Sequence, residues 1–214
     1  MKNYVTEFIG TFFLVLTIGL TVIGGTPMAP LAIGASLMIM VYMGGHVSGG
    51  HYNPAVSLAV LLRGKLTSTG EFVAYLVSQL AGAIAAALIA YVITGKTFAP
   101  APADSTSVLG ALLVETLFTF ALALVVLNSA VSAKTQGNSF YGLAIGFTIV
   151  VAAFAGGSLS GGAFNPAVGT GPILVQAALG EGSLAHLWLY LVGPFLGGAL
   201  AAAVFGIQEA AGAP

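Results

Sequence analysis

The tripeptide Asn-Pro-Ala occurs twice in this chain, at Asn53-Pro54-Ala55 and at Asn165-Pro166-Ala167, about half a chain apart. The approaches to the two copies match: Gly45-His46-Val47-Ser48-Gly49-Gly50-His51-Tyr52 before the first and Gly157-Ser158-Leu159-Ser160-Gly161-Gly162-Ala163-Phe164 before the second. One copy would carry little weight. Two copies with matched approaches mean that one structural unit has been duplicated. Asn is among the strongest N-cap residues and Pro is favoured at the first helical position, so each copy declares a helix start.

The surroundings of these starts cannot face water. Charged residues are 5% of the 214 and hydrophobic residues 58%, against roughly 25% charged in a soluble domain. Apolar runs cover Phe8–Ile23, Leu31–Met43, Phe72–Ile93, Val108–Leu127, Tyr141–Ala155 and Leu184–Ile207. Each is near, or somewhat under, the roughly 20 residues that carry a helix across a bilayer. Six spans put both termini on one side. Lys2, Arg63, Lys65 and Lys134 fall on that side and Lys96 opposite, which predicts cytoplasmic termini in a cell membrane. The first run carries Glu7, has no basic leader and is echoed later, so it reads as a span rather than a cleaved signal peptide. The short outer loop Gly24–Ala29 hints at a prokaryotic membrane. A net charge of −1 without basic clusters argues against nucleic acid as a partner, and the absence of cysteine removes disulfides and thiolate sites.

The duplication extends past the tripeptide. Glu7-Phe8-Ile9-Gly10-Thr11-Phe12 in the first span resembles Glu115-Thr116-Leu117-Phe118-Thr119-Phe120 in the fourth, and Tyr75–Gly82 in the third resembles Tyr190–Gly197 in the sixth. With three spans per half, the second half lies inverted relative to the first. This predicts one membrane domain over 1–214, with repeats at about 1–97 and 106–210 and a Pro/Ala-rich linker at about 96–107. Residues 53–62 and 165–175 are too short to span and read as half-helices dipping into the membrane. Irregular backbone at that depth must be buried in protein or line a watery cavity.

The chemistry follows from the caps. Each Asn carbonyl oxygen can accept from first-turn N–H groups, which leaves its NH₂ free as an outward donor. Inversion brings the positive dipole ends of the two short helices tip to tip, where they polarise a neutral oxygen and oppose a cation. Glycines upstream (Gly44, Gly45, Gly49, Gly50 and Gly156, Gly157, Gly161, Gly162) let the backbone run extended and present carbonyls, those of Gly49, Gly50 and His51 and of Gly161, Gly162 and Ala163. The result is a path for small neutral hydrogen-bonding molecules.

Over essentially its whole length the chain resembles the aquaporin, or major intrinsic protein, family. The resemblance rests on six spans, the paired Asn-Pro-Ala, the segment Gly45–Val56 and Gly193-Pro194 in the sixth span. It implies an all-α membrane protein, a right-handed bundle of six transmembrane helices plus two re-entrant half-helices. It also implies a homotetramer in the lipid bilayer with a pore in each subunit. Water and small uncharged solutes would be the permeants, and no cofactor would be required.

One departure is plain. Family members usually carry Arg three residues after the second motif Asn, where this chain has Val168. Spacing from the two asparagines assigns the other positions of the narrowest ring to Ile33, Ala153 and Gly162. This ring has no charge, aromatic group or side-chain donor. Either the lost bulk admits glycerol- or urea-sized solutes, or neighbours close an apolar neck that slows water; the wider pore is the expectation carried forward. Gly169 after Val168 departs from the glycerol-type pattern as well, so solute preference stays open.

Glu7 and Glu115 are carboxylates inside spans, which marks them as functional candidates. The resemblance implies that they brace the re-entrant loops, accepting from N–H groups near His46–His51 and Ser158–Gly162. The alternatives are exposure near a helix end or a proton relay. His46 and His51 read as loop-backbone hydrogen-bonding residues, with a pH-sensing gate as the other possibility; His186 reads as interfacial. Gly142/Gly146 and Gly193/Gly197 have the spacing of close helix packing, and Trp188, Tyr4 and Tyr141 of interfacial belts. No metal-ligand spacing and no nucleophile–base pair stands out, so catalysis is not expected. The rival classes are an ion- or proton-coupled transporter and a poorly conducting structural protein on the same fold.

Overall fold

A computed structural model of the chain describes residues 1–210, and among these the regular structure is all helical. Six helices are long and apolar enough to cross a membrane. They are α1 (Lys2–Ile23), α2 (Ala29–Ser48), α4 (Thr69–Thr94), α5 (Val108–Val126), α6 (Tyr141–Ser160) and α8 (Leu187–Ala210). Two short helices, α3 (Pro54–Leu62) and α7 (Pro166–Ala178), complete the set. A π-helical turn over Leu127–Val131 extends α5.

Local chemistry sets the ends. Asn53 and Asn165 cap α3 and α7, each in extended backbone, with Pro54 and Pro166 next. Ser68 caps α4 by accepting from Glu71 N–H at 3.1 Å, and Glu71 returns to accept from Thr67 N–H at 2.8 Å, a reciprocal cap. Ser107 caps α5 through Gly110 N–H.

Two boundaries differ from the sequence reading for the same reason. α2 and α6 run on to Ser48 and Ser160, so Gly44, Gly45, Gly156 and Gly157 are helical rather than extended. Helical hydrogen bonding continues until the left-handed Gly49 (φ +90) and Gly161 (φ +88). Smallness is what Gly44 and Gly156 supply: a Cβ at Gly44 would strike the Tyr52 hydroxyl, and one at Gly156 would press on the Phe164 ring. α1 also begins earlier than read, at Lys2, placing Glu7 well inside a helix.

The packing repeats between halves. α1 lies on α4 as α5 lies on α8, and α2 lies on α6. Gly82 lets α4 approach the Phe8 carbonyl and Phe12 N–H of α1; Gly197 lets α8 approach the Thr116 carbonyl and Phe120 N–H of α5. The α2–α6 contact is closed by Gly34 and Gly146, each facing the other's carbonyl oxygen, with Gly142 under the Tyr42 ring. Each short helix packs on the third span of the opposite half, α3 on α8 and α7 on α4. Gly193, beside the Glu115 Cβ, and Gly197 thus both serve helix contact within the chain.

Many large apolar side chains face outward from the spanning helices, among them Val5, Phe13, Val77, Val92, Leu117, Phe147, Phe154 and Ile207. That surface suits hydrocarbon rather than water. On one side of the bundle Lys134 reaches Glu209 at 4.0 Å and Asn128 donates to Gln208 at 2.9 Å, tying the α5–α6 connection to the end of α8.

The linker between the halves does more than connect. Ala103 N–H donates to the Leu159 carbonyl at 3.1 Å, and Phe98 fills the space left by Gly19. A Cβ on Gly161 would come within 2.6 Å of Ala101 N, so the segment is seated against the approach to α7.

Candidate functional site

The two helix starts meet at the centre of the bundle. Asn53 Oδ1 accepts from Ala55 N–H at 2.9 Å, and Asn165 Oδ1 accepts from Ala167 N–H at 2.9 Å. With each oxygen committed to its own helix, each nitrogen faces the other half. Asn53 Nδ2 donates to the Phe164 carbonyl at 2.9 Å and Asn165 Nδ2 donates to the Tyr52 carbonyl at 2.8 Å. The sequence reading left both NH₂ groups free. The structure corrects this, because one N–H of each amide ties the halves together and the second remains available.

Among the described residues, Tyr52 and Phe164 are the non-glycine residues with positive φ, at +49 and +48. Such a conformation costs roughly 1–3 kcal/mol for a bulky residue and persists only where the surroundings hold it. Two buried carboxylates do so. Glu7 accepts from His51 N–H at 2.9 Å, Tyr52 N–H at 2.7 Å, Ser48 Oγ at 2.7 Å and Gln79 Nε2 at 2.8 Å. Glu115 accepts from Ala163 N–H at 3.0 Å, Phe164 N–H at 2.6 Å and Ser160 Oγ at 2.8 Å. Its backbone donors lie just past the stretch expected from sequence. Both carboxylates are wholly buried. Tyr75 and Tyr190 complete matched locks, their hydroxyls donating at 2.6 Å to the Ser48 and Ser160 carbonyls.

Two cavities adjoin this centre. One of about 200 Å³ is walled by aliphatic side chains of α1, α2, α5 and α6, including Leu14, Ile18, Leu37, Leu122 and Ile149. Its polar lining comes from Asn53, Asn165, His51 and the backbone of Gly161, Gly162, Ala163 and Phe164. Ile33, Ala153, Gly162 and Val168 all lie on its wall, so the four ring positions fall together around one space. Val168 is nearly buried, at 4% exposure. The second cavity, of about 700 Å³, opens on the side of the Lys134–Glu209 pair and is lined by Gly49, His51, Lys65, Glu71, Tyr75 and the α5–α6 connection. His51 lines both.

The model of the major intrinsic protein family matches residues 1–205. The chain belongs to this family. Among relatives, it is 35% identical to the glycerol uptake facilitator protein-like 6 of Lactiplantibacillus plantarum, over 94% of this chain and 95% of that one. It is 32% identical to aquaporin Z of Bradyrhizobium diazoefficiens, over 96% of this chain and 92% of that one. The fold matches the solved aquaglyceroporin from Plasmodium falciparum with a TM-score of 0.84, at 23% identity, over 95% of this chain and 94% of that one. The molecule is therefore a major intrinsic protein, a passive membrane channel for water and small uncharged solutes. Its relatives are transport channels rather than enzymes.

In this major intrinsic protein the histidines depart from the sequence reading. His46 sits in the last turn of α2, exposed to the larger cavity, rather than in the loop. The His51 ring bonds a side chain, Ser57 Oγ at 3.0 Å, and not loop backbone. The partners Ser57 and Gln79 escaped the sequence reading. A polar pair within apolar stretches of two helices, Ser57 on α3 and Gln79 on α4, was the available clue. Among the described residues no cluster of His, Asp and Glu could hold a metal.

Proposed function

We propose that permeants pass from the smaller cavity, between the two Asn-Pro-Ala tips, to the larger one. Asn53 and Asn165 act as central donors, with Pro54, Ala55, Pro166 and Ala167 holding them at the helix starts. The carbonyls of Gly49, Gly50, His51, Gly161 and Ala163 act as acceptors. Ile33, Ala153, Gly162 and Val168 set the bore. Glu7 and Glu115 fix the irregular backbone and take no part in transfer, since each is spent on three or four donors. The observation that carries this reading is that both motif amides line one cavity whose remaining side chains, His51 apart, are apolar.

The bore is read as wide and apolar, favouring glycerol- or urea-sized neutral solutes beside water. Support comes from Val168 where a long cation would otherwise occupy the space, and from the small Gly162 and Ala153 lining the same cavity. The relative named a glycerol uptake facilitator fits the same reading. The channel is taken to work as a homotetramer in the cell membrane with cytoplasmic termini, the apolar exterior serving both lipid and subunit contact. The two repeats, about 1–97 and 106–210, are taken as inverted halves of one domain, supported by the matched Glu, Tyr and Gly contacts. Neither catalysis nor a cofactor is needed.

Stopped-flow light scattering of proteoliposomes tests this. Osmotic shrinkage gives water permeability, and re-swelling with glycerol or urea gives solute permeability. Linear, unsaturated flux well above that of protein-free liposomes is expected. Saturable, gradient-coupled flux would favour a transporter, and flux equal to the control a structural role.

A further inference from the structure

Arg63 caps the C-terminus of α3. It is half-buried, whereas the other cations, Lys2, Lys65, Lys96 and Lys134, are exposed. Its guanidinium is laid against α8. Cζ lies over the Phe205 ring, 5.8 Å from the centroid, and a Cβ on Gly206 would come within 2.7 Å of Nη1. The absent side chain of Gly206 therefore makes a seat, and the aromatic face attracts the cation into it. The two Asn-Pro-Ala motifs place Val175 of α7 at the position matching Arg63, and Val175 is apolar and buried. Only one half of the repeat carries this seat.

Among the described residues the chain supplies no acceptor to that seat. Arg63 Nε is sealed and bonds to none of them, and no carboxylate among them pairs with the guanidinium. Glu209, one turn beyond Phe205 on α8, is engaged elsewhere: it accepts from Ser132 Oγ at 2.8 Å and lies 4.0 Å from Lys134 Nζ. Carbonyls at the end of α3 are taken as well, that of Val60 by Lys65 N–H at 3.0 Å and that of Leu61 by Gly64 N–H at 2.9 Å. A guanidinium pressed onto apolar surface without an acceptor is costly, and its planar fork is shaped for an oxyanion.

The neighbours decide which oxyanion. Leu62, beside Arg63 in sequence, is 53% exposed, and Ile207, beside Gly206, is 71% exposed. Arg63 lines neither cavity. The guanidinium thus lies at the outer perimeter of the bundle, between side chains that suit acyl chains rather than water. We propose that Arg63 binds the phosphate of an anionic phospholipid, whose headgroup rests at the Gly206 gap and whose chains lie against Leu62 and Ile207. Bound there, the phosphate bridges the end of the half-helix α3 to the last turns of α8. A net negative headgroup is favoured over a zwitterionic one, which brings a second cation to a site that is already positive. The site is separate from the passage.

Native mass spectrometry of the purified protein, titrated with phosphatidylglycerol or phosphatidylcholine, tests this. Wild type should bind phosphatidylglycerol more tightly than phosphatidylcholine. Arg63→Gln should weaken phosphatidylglycerol about tenfold, the effect of one charge-assisted pair, and erase the preference. Lys2→Gln, an equal loss of charge at an exposed position, should leave both affinities as they are. Gly206→Ala fills the seat while Arg63 remains. Its Cβ meets the free end of a flexible side chain, so the helix survives, and affinity should fall about threefold. Equal affinities in Arg63→Gln and Lys2→Gln overturn the proposal. So does displacement of the lipid by inorganic phosphate at the lipid's own concentration, which would make Arg63 a plain anion site. If Arg63→Gln yields no folded protein, Gly206→Ala decides alone, and an unchanged affinity there overturns it.

Discussion

The side-chain amide of Asn53 donates to the main-chain carbonyl of Phe164 at 2.9 Å, from one half of the chain to the other. The reciprocal bond runs from Asn165 to the Tyr52 carbonyl at 2.8 Å. The two acceptors are the residues held at positive φ. Each motif therefore depends on the strained backbone of its partner to aim a carbonyl, and each strained backbone is pinned by a carboxylate from its own half. Cap, strain and brace form one closed loop of dependence across the bundle centre.

Asn165→Asp isolates the cross-link from the cap. The carboxylate still accepts from Ala167 N–H, but the donor to Tyr52 is lost and an oxygen faces a carbonyl oxygen. A lost buried hydrogen bond with an unsatisfied partner costs about 1–3 kcal/mol. A lower unfolding midpoint in detergent is expected together with reduced water permeability. Asn165→Ala adds loss of the cap, about 0.5–2 kcal/mol, and should melt lower than wild type by more than the cap alone explains.

Glu7→Gln and Glu115→Gln replace an acceptor-only group with one that carries its own donors. Glu7 receives four hydrogen bonds and Glu115 three. In the amide one of the two oxygens becomes NH₂ and confronts an N–H group. With hydrogen bonds to charged groups worth about 1.5–3 kcal/mol each, both variants should be destabilised, Glu7→Gln more than Glu115→Gln. Denaturation of the purified protein in detergent measures the order, and equal losses would show that the fourth donor, Gln79, adds nothing.

Much of this was legible in the sequence because it rests on local rules. The two Asn-Pro starts announce caps whatever surrounds them, and Asn53 and Asn165 do cap α3 and α7. Matched Glu and Tyr positions in the repeat carried the braces and locks. What was not legible depends on approach distances. Gly44 and Gly156 read as extended-chain glycines because sequence shows flexibility, whereas their role is to make room for Tyr52 and Phe164. The His51–Ser57–Gln79 chain joins three separate segments, and no periodicity relates them. The second amide hydrogen was visible in the inventory of Asn, but the first was spent on a carbonyl whose direction only a positive φ creates.

Gly82→Ala and Gly197→Ala test the helix contacts that hold the halves. Each added Cβ would meet a main-chain carbonyl, that of Phe8 or of Thr116, which cannot swing aside as a side chain can. Overpacking of this kind costs about 1–3 kcal/mol, and it outweighs the gain from a better helix former, about 1 kcal/mol. Both variants should melt below wild type by similar amounts. A higher midpoint for either would show that the helices part without loss.

Val168→Arg decides the bore. Val168 sits on the wall of the smaller cavity in the first turn of α7, with Ile33, Ala153 and Gly162 on the same wall. An Arg there has a cavity of about 200 Å³ to extend into and carbonyls of the Gly161–Ala163 segment to meet. It narrows the space and adds donors that replace hydration of a water molecule better than they accommodate the CH face of a polyol. Water keeps a path and gains a partner; glycerol loses room. The glycerol-to-water permeability ratio should fall about tenfold, a relative barrier change of ~1.4 kcal/mol, while water permeability stays within about threefold of wild type, ~0.65 kcal/mol. Stopped-flow measurement of both on the same proteoliposomes reads the ratio directly. An unchanged ratio would mean that the ring residues do not set the bore and that the narrowest point lies elsewhere along the passage.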